Sequence, residues 1–187
     1  MKPSGINGTI RRVPQDIHFM GRALAAAEKA LEQGEFPVGC VLTCENRVVA
    51  TGARTGTGGG ERNEVDHAEI RALRRLADAA PAADPRGLTL YTTMEPCLMC
   101  FGAILLYNIG RVVFAYEDVM GGGTRCDLRR LPPLYRSCRT VVTGAVRRRE
   151  SLLLFKRFFS DPSNGYWRGS RLAEYTLAQK TDHLINH

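Results

Sequence analysis

The chain has 187 residues, 44% of them apolar, enough for one sizeable buried core and, by its length, one domain. No apolar run approaches the roughly 18 residues of a membrane-spanning helix, the opening MKPSGINGTIRRVPQD lacks the apolar stretch of a signal peptide, and six cysteines in such a chain suit a reducing cytoplasm better than a disulfide framework. The net charge of +7 is uneven: residues 121–157 hold ten Arg and Lys against Asp127 and Glu150, a local +8 that leaves −1 for the remainder and suits either a phosphate-bearing partner or a merely solvated basic face.

After a polar leader over residues 1–15, apolar residues at Phe19, Met20, Ala23, Leu24, Ala27, Ala30 and Leu31 recur near the helical period and predict an amphipathic helix over Ile17–Leu31, with Asp16 as its N-cap and Gly34 closing it. Val38–Thr43 and Arg47–Thr51 read as two strands joined through Glu45 and Asn46. The segment TGARTGTGGGER (51–62) holds five glycines and suits a mobile flap. A helix is predicted from His67 to about Ala79, a strand over Leu88–Thr92, a helix over Cys97–Asn108 and a strand over Arg111–Ala115. Gly121, Gly122 and Gly123 then break the chain before a fifth strand at Thr140–Thr143 and two last helices at Glu150–Phe159 and Arg168–Gln179. Strands alternating with helices predict an α/β class, a sheet with helices on its faces. The expected division is a domain over residues 16–160 and a helical extension over 161–187 packed on it.

Within that frame His67-Ala68-Glu69 is followed by Pro96-Cys97-Leu98-Met99-Cys100. One imidazole and two thiolates are three zinc ligands, and a catalytic zinc site keeps three protein ligands with the fourth position open. Pro96 suits a helix start, and Cys97 and Cys100, three apart, share a helical face. Glu69 lies about 200° around an ideal helix from His67, so the ion must sit off the start of the helix rather than beside its shaft. Two helices would then aim their positive ends at the thiolates. Cys40, Cys44, Cys126 and Cys138 read as ordinary core or loop cysteines. A lone C-x-x-C also suits a redox dithiol or half of a structural zinc site, but a structural site wants a fourth close ligand and has no need of Glu69.

Histidine-x-glutamate followed by proline-cysteine-x-x-cysteine is the pattern of zinc nucleobase deaminases. Roughly residues 19–160 resemble the cytidine deaminase-like superfamily, and within it the bacterial tRNA adenosine deaminase and guanine deaminase branch, through FMGRALAAAEKALEQGEFPVGCVL, HAEIRAL and LYTTMEPCLMCFGAILLYNIGRVVFAYED. The resemblance implies a five-stranded mixed sheet sandwiched by helices, a homodimer with the site near the partner chain, and hydrolytic removal of an exocyclic amine. It implies one zinc per chain held by His67, Cys97 and Cys100, Glu69 as proton carrier, and contacts to the reacting ring from the Ala68 N–H and a backbone carbonyl near Glu95.

The chain departs from that branch where the substrate would be read. Alignment through Gly52 puts Arg54 or its neighbours where the branch has a base-reading asparagine, so that reader is absent or moved. Tyr116 and Glu117 stand where it has a small residue and an arginine, while Asp118 is retained. Tyr116 is expected to close the pocket and Glu117 to bond an amino or ring N–H group while repelling phosphate. Tyr166 and Trp167, in the extension, are candidates to cap a small-molecule site or to pack the last helix. The favoured reading is a deaminase of a small nucleobase or nucleoside, with the tRNA enzyme as the alternative and a zinc-bearing binding module as the rival class.

Overall fold

The computed structural model describes residues 14–58, 62–79 and 83–180. Most of the expected leader, the centre of the glycine run, part of the Pro/Ala linker and residues 181–187 of the extension therefore lie outside the described residues. Helix α1 (Pro14–Glu32) leads into β1 (Gly39–Cys44) and β2 (Arg47–Ala53), followed by α2 (Ala68–Ala79), β3 (Thr89–Met94), α3 (Leu98–Leu106) and β4 (Arg111–Tyr116). A single turn, α4 (Pro133–Arg136), precedes β5 (Val141–Thr143), α5 (Arg148–Ser160) and α6 (Arg171–Ala178).

The five strands lie in the order β2-β1-β3-β4-β5, with β1 antiparallel to β2 and β3, and β3, β4 and β5 running parallel. This is the α/β class that the alternation of elements predicts, built as the mixed five-stranded sheet that the resemblance implies. The β1–β2 connection turns through Glu45 and Asn46, at φ 47° and 61°, a conformation whose twist matches that of the flanking strands.

Successive strand residues face opposite ways, and the two faces bury different helices. Leu90 and Val112 pack with Leu73 and Leu76 of α2 and Ile104 of α3, whereas Tyr91 and Val113 pack with Met20, Ala23 and Ala27 of α1. Helix α5 serves both cores, through Phe155 and Phe158 on one side and Leu154 on the other. Leu172 of α6 is buried in the first core. A side chain of that type contributes about 1.5–3 kcal/mol on full burial, which ties the C-terminal helix to the sheet domain.

Asp16 is not the N-cap that its position suggests: the described helix already includes Pro14, and Asp16 is a buried residue of its first turn. Its carboxylate accepts from Arg111 Nη1 at 2.6 Å, Arg111 Nη2 at 2.8 Å and Tyr91 Oη at 3.0 Å. A fork-to-carboxylate pair of this kind fixes orientation as well as distance, so α1 is bolted to β3 and β4. Burial alone would raise the Asp16 pKa, but the Arg111 and Tyr91 hydrogen bonds overcome it and hold the carboxyl below its ordinary value of 3.8. A depressed carboxylate stabilises the fold above the unfolded-state pKa and loses that contribution as pH falls through the folded value. Asp16→Asn is therefore expected to cost about 2 kcal/mol in urea unfolding at pH 7, with the gap to wild type narrowing below pH 3.8; equal midpoints at pH 7 would contradict this role.

Candidate metal centre and pocket

Close backbone contacts set the two helix starts. A Cβ at Gly52 would come within 2.0 Å of the Ala68 carbonyl oxygen, so only glycine in β2 lets the first turn of α2 lie on the strand. A Cβ at Gly123 would meet the backbone of Leu98 and Cys97 at 2.7–2.9 Å, and the Gly123 N–H donates to the Pro96 carbonyl at 2.8 Å. The glycine triplet thus braces the start of α3 as well as interrupting regular structure. Cys97 is the N-cap residue of α3, with extended backbone, and His67 immediately precedes α2.

These starts bring the His67 nitrogen and the Cys97 and Cys100 sulfurs within 4.8 Å of one another. His67 Nδ1 is 3.5 Å from Cys97 Sγ and 3.4 Å from Cys100 Sγ. A tetrahedral zinc with ordinary bond lengths separates a nitrogen and a sulfur donor by about 3.5 Å, so both the donor types and their spacing fit that ion. Among the described residues no other group of three such donors comes together. The hydrogen bond from Cys100 and the proximity of His67 bring the Cys97 thiol down to about 4, while the same bond and burial push Cys100 up.

Glu69 stands beside these ligands without being one of the cluster. It is 3% exposed; its Oε1 accepts from Thr92 Oγ1 at 2.8 Å and its Oε2 faces Cys100 Sγ at 3.5 Å. Burial pushes its carboxyl up from the ordinary range, against the opposing Thr92 hydrogen bond. Thr92, which fixes one oxygen of Glu69, is a candidate site residue that the motif alone does not name. The alternation of LYTTMEPC carries the signal, because Thr92 shares a sheet face with Leu90 and Met94, which belong to the core on the α2 side.

A pocket of about 220 Å³ opens in front of the ligands. Phe36, Val38, Met94 and Leu172 supply apolar walls, and Tyr166 and Trp167 come from the segment between α5 and α6. Of the expected substrate contacts, Ala68, Glu95, Arg54, Asp118 and Trp167 line it together with His67, Glu69 and Cys97. Asp118 Oδ1 accepts from the Met120 and Gly121 N–H groups, each at 2.9 Å, and burial raises its carboxyl. Glu95 Oε2 accepts from the Asp118 N–H at 3.2 Å and Oε1 from the Thr124 hydroxyl, so the Glu95 side chain holds the loop after β4.

Tyr116 and Glu117 do not reach the pocket. Tyr116 is fully buried in the first core, its ring 5.4 Å from that of Phe155 and its hydroxyl 3.0 Å from Thr176 Oγ1, and burial pushes it up to about 12. It shares a strand face with Val112, which directs it under α5 and α6 rather than to the pocket mouth. Glu117 accepts both nitrogens of the Arg148 fork and the Tyr175 hydroxyl. Burial opposes its charge, yet these bonds hold it below the ordinary range. Its carboxylate ties β4 to the two last helices and is not available to a base. The expected flap is also partly fixed: residues 51–53 belong to β2, and the Glu35 carboxylate accepts the N–H groups of Gly56, Thr57 and Gly58 at 2.7–3.1 Å.

Residues 13–116 match the family model of the cytidine and deoxycytidylate deaminase zinc-binding region. The chain is 35% identical over 146 residues to a tRNA-specific adenosine deaminase of Agrobacterium fabrum, spanning 77% of this chain and 93% of that one. A solved structure from work on A-to-I editing by tRNA:A34 deaminases superposes with a TM-score of 0.57 at 31% identity, covering 73% of this chain and 98% of the other. The guanine deaminase of Nitrosomonas europaea shares the fold, with a TM-score of 0.61 at 20% identity over 78% and 84% of the two chains.

Purified protein is expected to carry about one zinc per chain by atomic absorption, since the cluster supplies one three-ligand site. Cys97→Ala or Cys100→Ala should lose the metal, whereas Cys126→Ala, at an exposed cysteine outside the cluster, should keep it.

Proposed function

The chain belongs to the cytidine and deoxycytidylate deaminase zinc-binding family, and on that footing we propose a hydrolytic deaminase in which Glu69 moves the protons and the pocket holds an amino-substituted nucleobase, free or as its nucleoside. The observation that carries the proposal is a buried carboxylate outside the ligand set, with one oxygen fixed by Thr92 and the other facing a ligand sulfur. Bound by His67, Cys97 and Cys100, zinc would supply a water acidified to near-neutral pKa. Glu69 then removes the proton of the attacking water and delivers it to the ring nitrogen beside the reacting carbon. It next carries a second proton to the amine, so water and the amino compound become a carbonyl compound and ammonia. Burial raises the carboxyl from the ordinary range, which favours its uptake of the water proton.

Ala68 lies at the start of α2, where the first N–H groups have no intrahelical acceptor, and it can donate to the ring. A carbonyl at Glu95 and the Asp118 carboxylate would accept from amino or ring N–H groups, and Trp167 would stack on the base. A small substrate is favoured because the C-terminal segment walls the pocket while Glu95 and Asp118, rather than a free cation, contribute to its polar lining. The tRNA reading is favoured instead by the 35% identity to a tRNA-specific adenosine deaminase and by the exposed Arg125, Arg130, Arg136 and Arg139.

A homodimer is part of the proposal. Leu98 and Leu106 of α3 are 63% and 58% exposed, with Met99, Tyr107 and Leu134 also open to solvent, and the first of these flanks a ligand cysteine. No described helix is long and apolar enough to cross a membrane; six free cysteines suit a cytoplasmic enzyme.

Glu69→Gln should keep zinc and fold while losing roughly 10²–10⁴-fold in turnover; near-normal turnover would place the proton carrier elsewhere. Ammonia release measured over cytosine, adenine, guanine, their nucleosides, aminotriazines and an anticodon stem-loop separates the two substrates. Efficient reaction of the stem-loop alone, with affinity falling log-linearly as salt rises, would replace the small-base reading. Sedimentation at micromolar concentration should give a dimer, and a monomer would remove that part of the proposal.

A further inference from the structure

We propose that Arg54 is a positioning residue that locks the segment bearing Tyr166 and Trp167 onto the loop before His67 and thereby sets the outer wall of the pocket. The inference rests on the reading of that pocket as the substrate site. Arg54 follows β2 directly, and its side chain is 2% exposed. Nη1 donates to the carbonyls of Thr55 and Asn63 at 2.6 Å each and of Asp66 at 3.3 Å. Nη2 donates to Glu64 Oε2 at 3.1 Å and to Tyr166 Oη at 3.4 Å, and the guanidinium lies 5.8 Å from the centre of the Tyr166 ring. Tyr166 in turn donates to the same Glu64 oxygen at 2.8 Å. One buried cation thus joins two stretches of chain 112 positions apart.

The chemistry of the group explains why it holds. A guanidinium taken out of water must be paired and hydrogen-bonded, and here its donors meet three carbonyls, a carboxylate and a phenol. The planar fork spans these acceptors in a way that the single ammonium of lysine cannot. Three consequences reach the site. The Asp66 carbonyl lies one residue before His67, so the clamp bears on the approach to a metal ligand. Tyr166 is held with its ring 5.4 Å from that of Phe36, another pocket wall. Trp167, at φ 57° and 43% exposed, is carried by Tyr166 to the mouth of the pocket, the two rings edge-to-face at 5.6 Å. Arg54 thus lines the pocket while its guanidinium is engaged by the protein itself, which makes it a support of the cap and not a reader of the base.

Trp167 is the sole tryptophan of the chain, so its fluorescence reports on the cap without any substrate. In zinc-loaded Arg54→Met and Arg54→Lys, acrylamide quenching of that emission should rise at least about twofold. The KM for the best base of the ammonia-release panel should rise about tenfold, because binding must then order the cap, with kcat within about threefold. Tyr166→Phe, which removes only the hydroxyl, should shift both readouts in the same direction by less. Unchanged quenching in folded, zinc-loaded Arg54→Met overturns the proposal, as does loss of zinc and kcat with KM unmoved, which would make Arg54 a support of His67 alone. If the Arg54 variants do not fold, Tyr166→Phe decides, and unchanged quenching there rejects the clamp. A wild-type protein that releases ammonia from none of the bases counts against the small-base reading, while the fluorescence result still decides the clamp.

Discussion

Two α-helices have to begin within a few ångströms of each other for one imidazole and two thiols to meet, and in this chain backbone contact enforces that. Glycine at position 52 lets the Ala68 turn sit on β2, and glycine at position 123 lets the loop after β4 press on Cys97 and Leu98. Any side chain at either place would displace a helix start by an ångström or more, a shift large enough to spoil a three-donor cluster whose nitrogen–sulfur spacings are 3.4 and 3.5 Å. The parallel pairing of β3 with β4 brings that loop to the same edge of the sheet as Cys97. The site is therefore a product of topology, and its ligands need no dedicated scaffold.

The buried charges divide by what their partners leave free. Asp16 is saturated by Arg111 and Tyr91, Glu117 by Arg148 and Tyr175, and Arg54 by loop carbonyls, Glu64 and Tyr166. Each of these joins elements distant in sequence, and removal of either partner would strand a charge in a poorly solvated place. Glu69 is different: one oxygen is fixed by a neutral hydroxyl and the other faces a ligand sulfur. A carboxylate without a cationic partner, buried and raised in pKa, suits proton transfer rather than cohesion.

Much of the fold was legible because the periods are clear. The apolar spacing of α1, the alternation of β3 and the turn at Glu45-Asn46 each carry their own physical signal, and the ligand triplet is fixed by short spacings on predicted helix starts. The places of Tyr116 and Glu117 do not follow from the sequence for one reason: a position beside a motif says which strand a residue follows, but the face it takes and the partner it finds depend on α5 and α6, which arrive from 31 to 60 positions later. Arg54 illustrates the same limit. Its place beside the pocket could be read by alignment, whereas the acceptors that engage its guanidinium come from a loop and a C-terminal segment whose meeting no local pattern encodes.

The same tertiary pairing changes what the basic stretch can do. Of its ten cationic residues, Arg129, Arg147, Arg148 and Arg157 face Asp127, Glu150, Glu117 and Glu28. The exposed pairs among these contribute little to stability, but each lowers the local potential that a phosphate would meet. A sum of +8 along the sequence is therefore an upper bound on the field offered to a polyanion. Among the described residues, the arginines without a carboxylate partner include Arg125, Arg130, Arg136 and Arg139, on the segment between β4 and β5. Charge counted along a chain locates a basic stretch; the ion pairs decide how many of its cations remain open to an anionic partner.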